Sequence, residues 1–304
     1  MGSEMCIRDS PSAMQAISQN PYLLCGEPLQ LDFRHADSIA QYYHMEGDCT
    51  QRLEAALLRT LRHNAGNGHT CLPRAQLLDT ASHFIQQPPE KLARALDHCI
   101  ETGQLGVKML EAVPYIYLPD LLEAEQAIAD RLALLAKREK QTVRNLDKNI
   151  QVLELTQGFA YAPLQREAIR KAMTENCLVL TGGPGTGKTT SLRGVLALFE
   201  TLGLETALAA PTGRAAKRLG ELCSTEASTI HRLLGAAFSP EGEDTVFSRD
   251  EDDPLECGAV VLDECSMVDI TLMRALLAAL PEGCCLIVPS DRGCPSVGRS
   301  ESNV

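Results

Sequence analysis

One segment of the sequence has the composition of a phosphate-binding loop. Residues 182–189 read GGPGTGKT and lie between an apolar run and a segment of helical character. Such a loop needs glycines, because its backbone must curl until several N–H groups point at one phosphate. Within it, Lys188 is expected to reach the β- and γ-phosphates, and the Thr189 hydroxyl to bind Mg²⁺. The pattern therefore predicts ATP binding by Gly182, Gly183, Pro184, Gly185, Thr186, Gly187, Lys188, Thr189 and Thr190.

Two acidic residues follow an apolar run about 75 residues further on. Residues 259–264 read AVVLDE, which predicts a buried strand that ends in Asp263 and Glu264. Asp263 is placed to hold Mg²⁺, and Glu264 to polarise the water that attacks the γ-phosphate. A strand with surface acids at its end is the alternative, and the upstream loop favours the catalytic interpretation. A kinase for a small substrate would not need this pair, so hydrolysis is preferred.

Gln165 lies just upstream of the loop, in the segment YAPLQ at the start of a predicted helix. Its side-chain amide can pair with N6 and N7 of adenine, which would give a preference for ATP. An ordinary residue at a helix start is the alternative. Its position before the strand of the phosphate loop favours adenine binding.

The elements around these residues alternate between strands and helices from Cys177 onward, which predicts a parallel α/β sheet. We expect this P-loop domain to cover residues 150–288, with strands at 177–182, 205–210, 259–262 and 284–288. Helices are predicted at 166–173, 189–202, 213–222 and 270–280. Residues 289–304 are expected to be a degenerate or non-native tail.

The preceding region has a different pattern. Residues 13–70 predict a helical region, with one helix starting at Asp37 or Ser38 and another near Thr50. Residues 71–140 predict two helices, a hairpin around 111–112 and a long helix over 120–140. Helix, helix, hairpin is the order of a winged-helix module, which could contact DNA or protein or could be a scaffold. The basic tract at 137–148 is interpreted as the domain boundary.

Composition and charge limit the function classes. The net charge is −12, but residues 241–256 alone hold eight acids and one arginine, a local −7, so the other 288 residues carry −5. We expect this acidic block to be a solvated, mobile loop, and the global charge neither supports nor excludes DNA binding. No segment is apolar enough to span a bilayer or to act as a signal peptide. Twelve cysteines without a C-x-x-C pair fit reduced thiols in the cytoplasm. Residues 1–12 are interpreted as a non-native tail.

These blocks, in this order, resemble superfamily 1 helicases and specifically the RecD-like group. The similarity rests on YAPLQREAI at 161–169, TGGPGTGKTT at 181–190, APTGRAAKRL at 210–219, ASTIHRLL at 227–234 and VVLDECSMVD at 260–269. It extends upstream to SQNPYLL, DFRHADSIA and GHTCLP. The resemblance implies a RecA-like domain that uses Mg²⁺ and ATP to move 5′ to 3′ along single-stranded DNA. It also implies DNA contacts by Pro211, Thr212, Arg214, Thr229 and His231.

The sequence departs from the family at two places. Residues 28–33 read PLQLDF where the family has a glycine-rich G-I-G-F turn, so the helix-hairpin-helix region is expected to be degenerate. Residues 289–298 read PSDRGCPSVG where the family has G-D-x-D-Q-L-P-S-V-G, so the glutamine that senses the γ-phosphate is replaced or displaced. The resemblance implies a second RecA-like domain, and we expect these 304 residues to contain only the first. We therefore expect a truncated helicase that binds Mg·ATP, hydrolyses it slowly and unwinds nothing.

Two other functions stay open. A non-catalytic platform that binds ATP or DNA fits the altered third motif, although it would not need Glu264. A P-loop kinase or transferase would need an acceptor pocket and lid arginines, for which no segment is suited. Partner subunits of a recombination complex are not indicated by the sequence.

Overall fold

The computed structural model describes residues 11–26, 29–137, 143–183, 185–238 and 245–290. The chain divides into two compact units that meet between Glu123 and Ala124. Among the described residues, no helix is both long and apolar enough to cross a bilayer. The predicted boundary at 137–148 lies further along the chain than this division, because the long helix before it packs mainly in the second unit.

The first unit is mainly helical and contains a three-stranded sheet. Its core is apolar, with Leu57, Leu77, Leu92 and Ile116 fully buried. The elements are α1 (Pro11–Gln19), a 3₁₀ turn (Pro21–Cys25), α2 (Phe33–Tyr42), α3 (Thr50–Gly66), β1 (Cys71–Pro73), α4 (Arg74–Ile85), α5 (Pro89–Glu101), β2 (Gly106–Leu110) and β3 (Val113–Tyr117).

The winged-helix-like module is confirmed in this unit. Its antiparallel sheet has the strand order β1-β3-β2, with Leu72 opposite Ile116 and Val107 also opposite Ile116. The hairpin turns at Glu111 and Ala112, whose φ angles are 48° and 66°. Left-handed backbone at both central residues gives the twist that joins antiparallel strands tightly.

The helix predicted at Asp37 or Ser38 begins earlier, at Phe33. Asp32 caps its N-terminus, because its carboxylate accepts the N–H of Arg34 at 2.9 Å. Asp37 therefore lies within α2, where it holds the unit together. Its carboxylate receives two hydrogen bonds from Arg52, at 2.8 and 2.9 Å, and one from the Tyr22 hydroxyl at 2.6 Å.

The long helix α6 (Pro119–Lys137) explains the position of the unit boundary. Ile128, Leu132 and Leu135 pack into the core of the second unit, so most of α6 belongs there. The guanidinium of Arg131 also donates to the carbonyls of Leu277 and Leu280. The sequence predicts the amphipathic stripe of α6, but the stripe alone does not indicate which of the two cores it packs against.

A helix that the sequence did not predict follows. α7 (Leu146–Gln157) takes up the end of the basic tract and buries Ile150 in the second core. Residues 138–142 of that tract lie outside the described residues.

The second unit is the expected P-loop α/β fold. Five parallel strands run in the order β4-β10-β9-β5-β6. The elements are α8 (Pro163–Thr174), β4 (Cys177–Thr181), α9 (Lys188–Thr201), β5 (Thr206–Ala210), α10 (Gly213–Cys223), β6 (Ala227–Thr229), α11 (Ile230–Leu233), β9 (Ala259–Leu262), α12 (Ile270–Ala278) and β10 (Cys285–Ser290), with a small hairpin of β7 (Ala237–Phe238) and β8 (Thr245–Val246). β6 was not predicted, and β10 includes two residues of the expected tail.

The described part of the acidic block, residues 245–256, is held in place. Arg249 forms ion pairs with Asp253 and Glu256, and the Asp250 carboxylate accepts two backbone N–H groups at 2.9 Å. Leu255 is buried, and its N–H donates to Ala279 O. The block was expected to be a mobile loop, but its single arginine and this apolar anchor order the described part.

The Asp37 cluster predicts a stability effect in the first unit. Asp37→Ala should lower the free energy of unfolding by about 2–3 kcal/mol, because Arg52 would lose its charged acceptor. The matched control is Asp97→Ala in the exposed Arg74–Asp97 pair, which should cost less than about 1 kcal/mol. Urea unfolding followed by circular dichroism measures both, and equal effects would contradict the assignment.

The same cluster predicts the direction of a pH effect. Burial raises the pKa of Asp37, but hydrogen bonds from Arg52 and Tyr22 outweigh it, so the pKa lies below its ordinary value. The stabilisation is therefore present above the ordinary aspartate pKa and is lost as the pH falls through the lowered one. The stability difference between the parent chain and Asp37→Ala should shrink on acidification.

Candidate nucleotide-binding site

The carboxyl ends of the parallel strands bring the predicted site residues to one edge of the sheet. β4 leads into Gly182, and its end lies beside Ser290 of β10. β9 leads into Asp263, whose N–H donates to Ala209 O of β5 at 3.0 Å. At the same edge, Ala210 pairs with Thr229 of β6. Ligands of open parallel sheets bind at this edge.

Two glycines of the phosphate loop lie close against the side chains of neighbouring residues. A Cβ on Gly182 would lie 2.6 Å from the Thr186 hydroxyl, and one on Gly187 would lie 2.1 Å from the Gln165 amide nitrogen. Gly187 also has φ +85°, a conformation that favours glycine. Pro184 lies outside the described residues. A tight, glycine-rich curl of this kind fits a phosphate group.

The helix after the loop adds positive charge. Lys188 is the first residue of α9, and its ammonium donates to the carbonyls of Gly182 and Gly183. It thus lies across the loop, at the N-terminus of a 14-residue helix. Thr189 and Thr190 follow in the first turn and are half-buried. This donor set suits an anion, because both the ammonium and the helix terminus favour negative charge.

The two acids after β9 differ in backbone conformation. Asp263 continues the strand and is half-buried. Glu264 has φ 51° and ψ 39°, the left-handed region, and a 3₁₀ turn (Cys265–Met267) starts behind it. A glutamate in this region is uncommon and costs about 1–3 kcal/mol, and such residues concentrate at functional sites.

Few protein ligands are available for a metal here. Among the described residues, no group of three or more His, Cys, Asp and Glu side chains could hold a metal ion. Mg²⁺ that is bound with a nucleotide needs only one or two protein oxygens, because phosphates and water supply the rest. The Thr189 hydroxyl and the Asp263 carboxylate fit that requirement by their chemistry.

Gln165 contacts the phosphate loop directly. Its amide nitrogen donates to Gly187 O at 3.5 Å, and its amide oxygen accepts the N–H of Ala162 at 3.0 Å. Gln165 therefore connects the start of α8 to the loop. Adenine binding by this residue stays a prediction.

Several positioning residues were missed in the sequence because they belong to the unpredicted α7 and its contacts. Glu154 accepts the N–H of Tyr161 at 2.9 Å and forms an ion pair with Arg166, next to Gln165. Hydrogen bonds from Arg166, then from the Tyr161 backbone, lower the pKa of Glu154. The Tyr161 hydroxyl donates to Gln157 Oε1 at 2.5 Å. The signal available in the sequence was that Arg166 directly follows Gln165, a candidate ATP-binding residue.

A cleft beside α9 was also missed. It has a volume of about 780 Å³ and includes Thr190 of the phosphate loop together with Gln157, Phe159, Arg193 and Ser224. Thr190 is the one predicted ATP-site residue in its lining, and the cleft runs from there along α9 to Thr206 at the start of β5.

The predicted DNA-contact residues lie at the ends of β5 and β6. The Thr212 and Thr229 hydroxyls each cap a helix, accepting the N–H of Ala215 at 3.3 Å and of Arg232 at 3.2 Å. Each hydroxyl keeps its own proton as a donor. Pro211 directly follows β5, and the Arg214 and His231 side chains are exposed beside these caps. The arrangement suits contact with a phosphate backbone.

Comparison with known proteins gives two family matches. The model of the ATP-dependent RecD2 DNA helicase HHH domain matches residues 9–71, and an AAA domain model matches residues 165–299. The ATP-dependent RecD2 DNA helicase of Deinococcus radiodurans is 34% identical over 273 residues, covering 86% of this chain and 37% of that protein. The chain is a relative of the RecD-like helicases.

Two further relatives agree with this. The RecBCD enzyme subunit RecD of Mycobacterium tuberculosis is 39% identical over 192 residues, covering 56% of this chain and 31% of the relative. The ATP-dependent DNA helicase dda of phage T4 is 37% identical over 123 residues, which cover 39% of this chain and 28% of the relative. The chain thus spans about a third of the length of these relatives. The family resemblance and the P-loop α/β fold predicted from the sequence are confirmed.

The phosphate loop predicts the effect of one substitution. Lys188→Ala should weaken Mg·ATP binding by about 10- to 100-fold, because a charged hydrogen bond to phosphate is lost. Anisotropy of a fluorescent ATP analogue measures this. Lys171→Ala is the matched control, since Lys171 is exposed and pairs with Glu167 on α8. Unchanged affinity in Lys188→Ala would contradict the assignment of residues 182–190 as a phosphate-binding loop.

Proposed function

We propose that this chain forms one face of the ATP site in an ATP-dependent DNA helicase of RecD type. Hydrolysis would be coupled to 5′ to 3′ movement along single-stranded DNA in the cytoplasm. The observation that carries the proposal is the common edge of the sheet. The phosphate loop, the Asp263–Glu264 pair and the candidate DNA contacts lie at the ends of β4, β9, β5 and β6 within one parallel sheet.

The residues of the chain divide the work at the ATP site. N–H groups of the loop and the Lys188 ammonium would bind the β- and γ-phosphates. Thr189 and Asp263 would hold Mg²⁺, which neutralises charge on the phosphate oxygens. Glu264 would accept a proton from the attacking water and so direct it toward the γ-phosphate. Gln165, anchored on Gly187 O, would orient the base.

A short physical path connects this chemistry to DNA. The N–H of Asp263 is hydrogen-bonded to Ala209 O, three residues before Thr212. Thr212 caps α10, whose first turn carries Arg214. A shift of the β9 end on hydrolysis would therefore reach the Pro211–Arg214 segment through the adjacent strand. Thr229 and His231 would contact the same strand of DNA from the end of β6.

The domain organisation follows from this proposal. Residues 150–288 would be the core of the ATPase domain, although the AAA match extends to residue 299. Residues 13–70 would form the helix-hairpin-helix-like region and 71–123 the winged-helix-like module. Residues 1–10 and 291–304 lie outside the described residues, and with them the altered third motif.

Two alternatives make different predictions. A non-catalytic platform would bind ATP or DNA without turnover, and it would not need the carboxylate of Glu264. A kinase or transferase would pass phosphate to an acceptor rather than to water.

Binding of DNA can be tested on this chain. Arg214→Ala should weaken binding of a dT oligonucleotide severalfold and reduce its salt dependence, because one phosphate contact is lost. Filter binding at several salt concentrations measures both. Arg170→Ala is the control, since Arg170 pairs with Asp147 away from the candidate edge. Equal loss in both variants would contradict a specific role for Arg214.

Turnover separates the helicase from the platform. Glu264→Gln should lower the rate of ATP hydrolysis by about 100-fold or more while Mg·ATP still binds, because proton transfer to a side chain contributes about 10²–10⁴ in rate. Phosphate release by a full-length protein that contains this chain is the measurement. Unchanged turnover would favour the platform, and label transferred to an acceptor would favour the transferase.

A further inference from the structure

We propose that Cys257 and Cys284 form a site of reversible thiol oxidation, which a peroxide converts into a disulfide between the starts of two adjacent strands. The site lies at the opposite end of the strands from the candidate ATP site and does not depend on the proposed function.

The sheet places the two cysteines close together. Cys257 lies two residues before β9, and Cys284 lies one residue before β10. The strands are in register at this end, with Cys285 opposite Ala259 and Cys285 N–H donating to Gly258 O at 3.0 Å. Cys257 and Cys284 also pack in the same apolar cluster on one face of the sheet, which is the closeness that a disulfide requires.

The two thiols also interact. A side-chain hydrogen bond joins Cys284 and Cys257, both cysteines are in the reduced form, and the Cys284 thiol also lies 3.8 Å from Cys285 O. Their side chains therefore point toward each other, which disulfide formation requires. Neighbouring Cys285 is directed elsewhere, since its thiol donates to Glu175 O at 3.3 Å.

Only one member of the pair is open to a reagent. Cys257 is half-buried and lines a cavity of about 250 Å³ together with Glu205, Leu233 and Arg249. Cys284 is 1% exposed. An oxidant can thus reach Cys257 first, and Cys284 lies behind it as the resolving thiol.

The surroundings of Cys257 favour its thiolate, which is the reactive form. The hydrogen bond with Cys284 lowers the pKa of Cys257 and the N–H groups of Ala207 and Ala259 lower it further, whereas burial and the Glu205 carboxylate oppose them. By contrast, burial raises the pKa of four other thiols, those of Cys25, Cys99, Cys177 and Cys223. An accessible, low-pKa thiol beside a resolving cysteine is the arrangement of redox-sensitive sites.

The chemistry balances with hydrogen peroxide as the oxidant. The Cys257 thiolate attacks one peroxide oxygen, the O–O bond breaks, and the released hydroxide takes up a proton to leave as water. Cys257 is now a sulfenic acid. The Cys284 sulfur then attacks the Cys257 sulfur, the S–O bond breaks, and a second water leaves with the thiol proton. Two thiols lose two electrons in total and peroxide gains them. A dithiol reductant reverses the product by exchange.

Peptide mapping tests the proposal directly. The reduced chain is treated with hydrogen peroxide, blocked with iodoacetamide under denaturing conditions, and digested with trypsin and a glutamate-specific protease. The two sites fall on separate peptides, CGAVVLDE (257–264) and GCCLIVPSDR (283–292). A linked pair, assigned to Cys284 by fragmentation and lost on reduction with dithiothreitol, is expected. Disulfide at Cys177–Cys285 in its place, or Cys257 left as a free thiol while other cysteines oxidise, would overturn the proposal.

Variants test the order of the steps. Cys284→Ser should stop Cys257 at the sulfenic acid, which dimedone labels, and Cys257→Ser should leave Cys284 unmodified. Cys265→Ser, a half-buried cysteine behind the other end of β9, is the control and should still form the linked peptide. Faster oxidation of Cys284 in Cys257→Ser would refute the order and the site with it.

A stability measurement on the unsubstituted chain is independent of whether the variants fold. The disulfide would close a loop of 28 residues, so oxidation should raise the thermal midpoint of the chain by several degrees. Reduction should reverse the shift. A midpoint that falls on oxidation would show that the bond distorts the sheet and would contradict the geometry proposed.

Discussion

The parallel register of the sheet is the constraint on which the candidate site depends. Because β4, β10, β9, β5 and β6 all run in the same direction, their carboxyl ends lie at one edge. Residues far apart in the sequence, such as Lys188, Asp263 and Thr229, follow strands that end there. The strands can hold this register because they are apolar and buried, with Ala259–Leu262 almost fully removed from solvent. The same sheet fixes Asp263, the residue before Glu264, and so compensates for the energetic cost of the left-handed backbone at Glu264.

The first unit is held by a different kind of interaction. Its helices meet around an ionised carboxylate, since Asp37 accepts from both Arg52 and Tyr22. Arg52 also donates to Gly47 O, so one guanidinium joins α2, α3 and the loop between them. Buried charge of this kind is stabilising only while every partner is present. The first unit therefore adds a few polar contacts between its helices to its apolar core, whereas the sheet is held mainly by apolar burial.

Local signals predicted much of the fold, and long-range packing accounts for most of what they did not. The glycines of the loop, the apolar run before Asp263 and the helix at Thr50 each carry their own structural signal. The start of α2 was wrong because Asp32 was not recognised as a cap. α7 was missed because the basic tract at 137–148, which overlaps its start, resembles a linker and only Ile150 is fully buried. The core covered by α6 is not encoded in its periodicity. The site roles themselves stay predictions, because the sequence and the sheet place these residues without a ligand.

Gln165 is prominent both in the sequence pattern and in the contacts of the phosphate loop. Its side chain spans from Ala162 N–H to Gly187 O, so the helix start that the sequence connects with base recognition also supports the phosphate loop. The φ of +85° at Gly187 favours glycine, and the Gln165 amide lies close beside it. Arg166, which forms an ion pair with Glu154 of α7, restrains the same start of α8. A change in Gln165 on base binding would therefore act on the loop directly, and α7 would set how far the start of α8 can move.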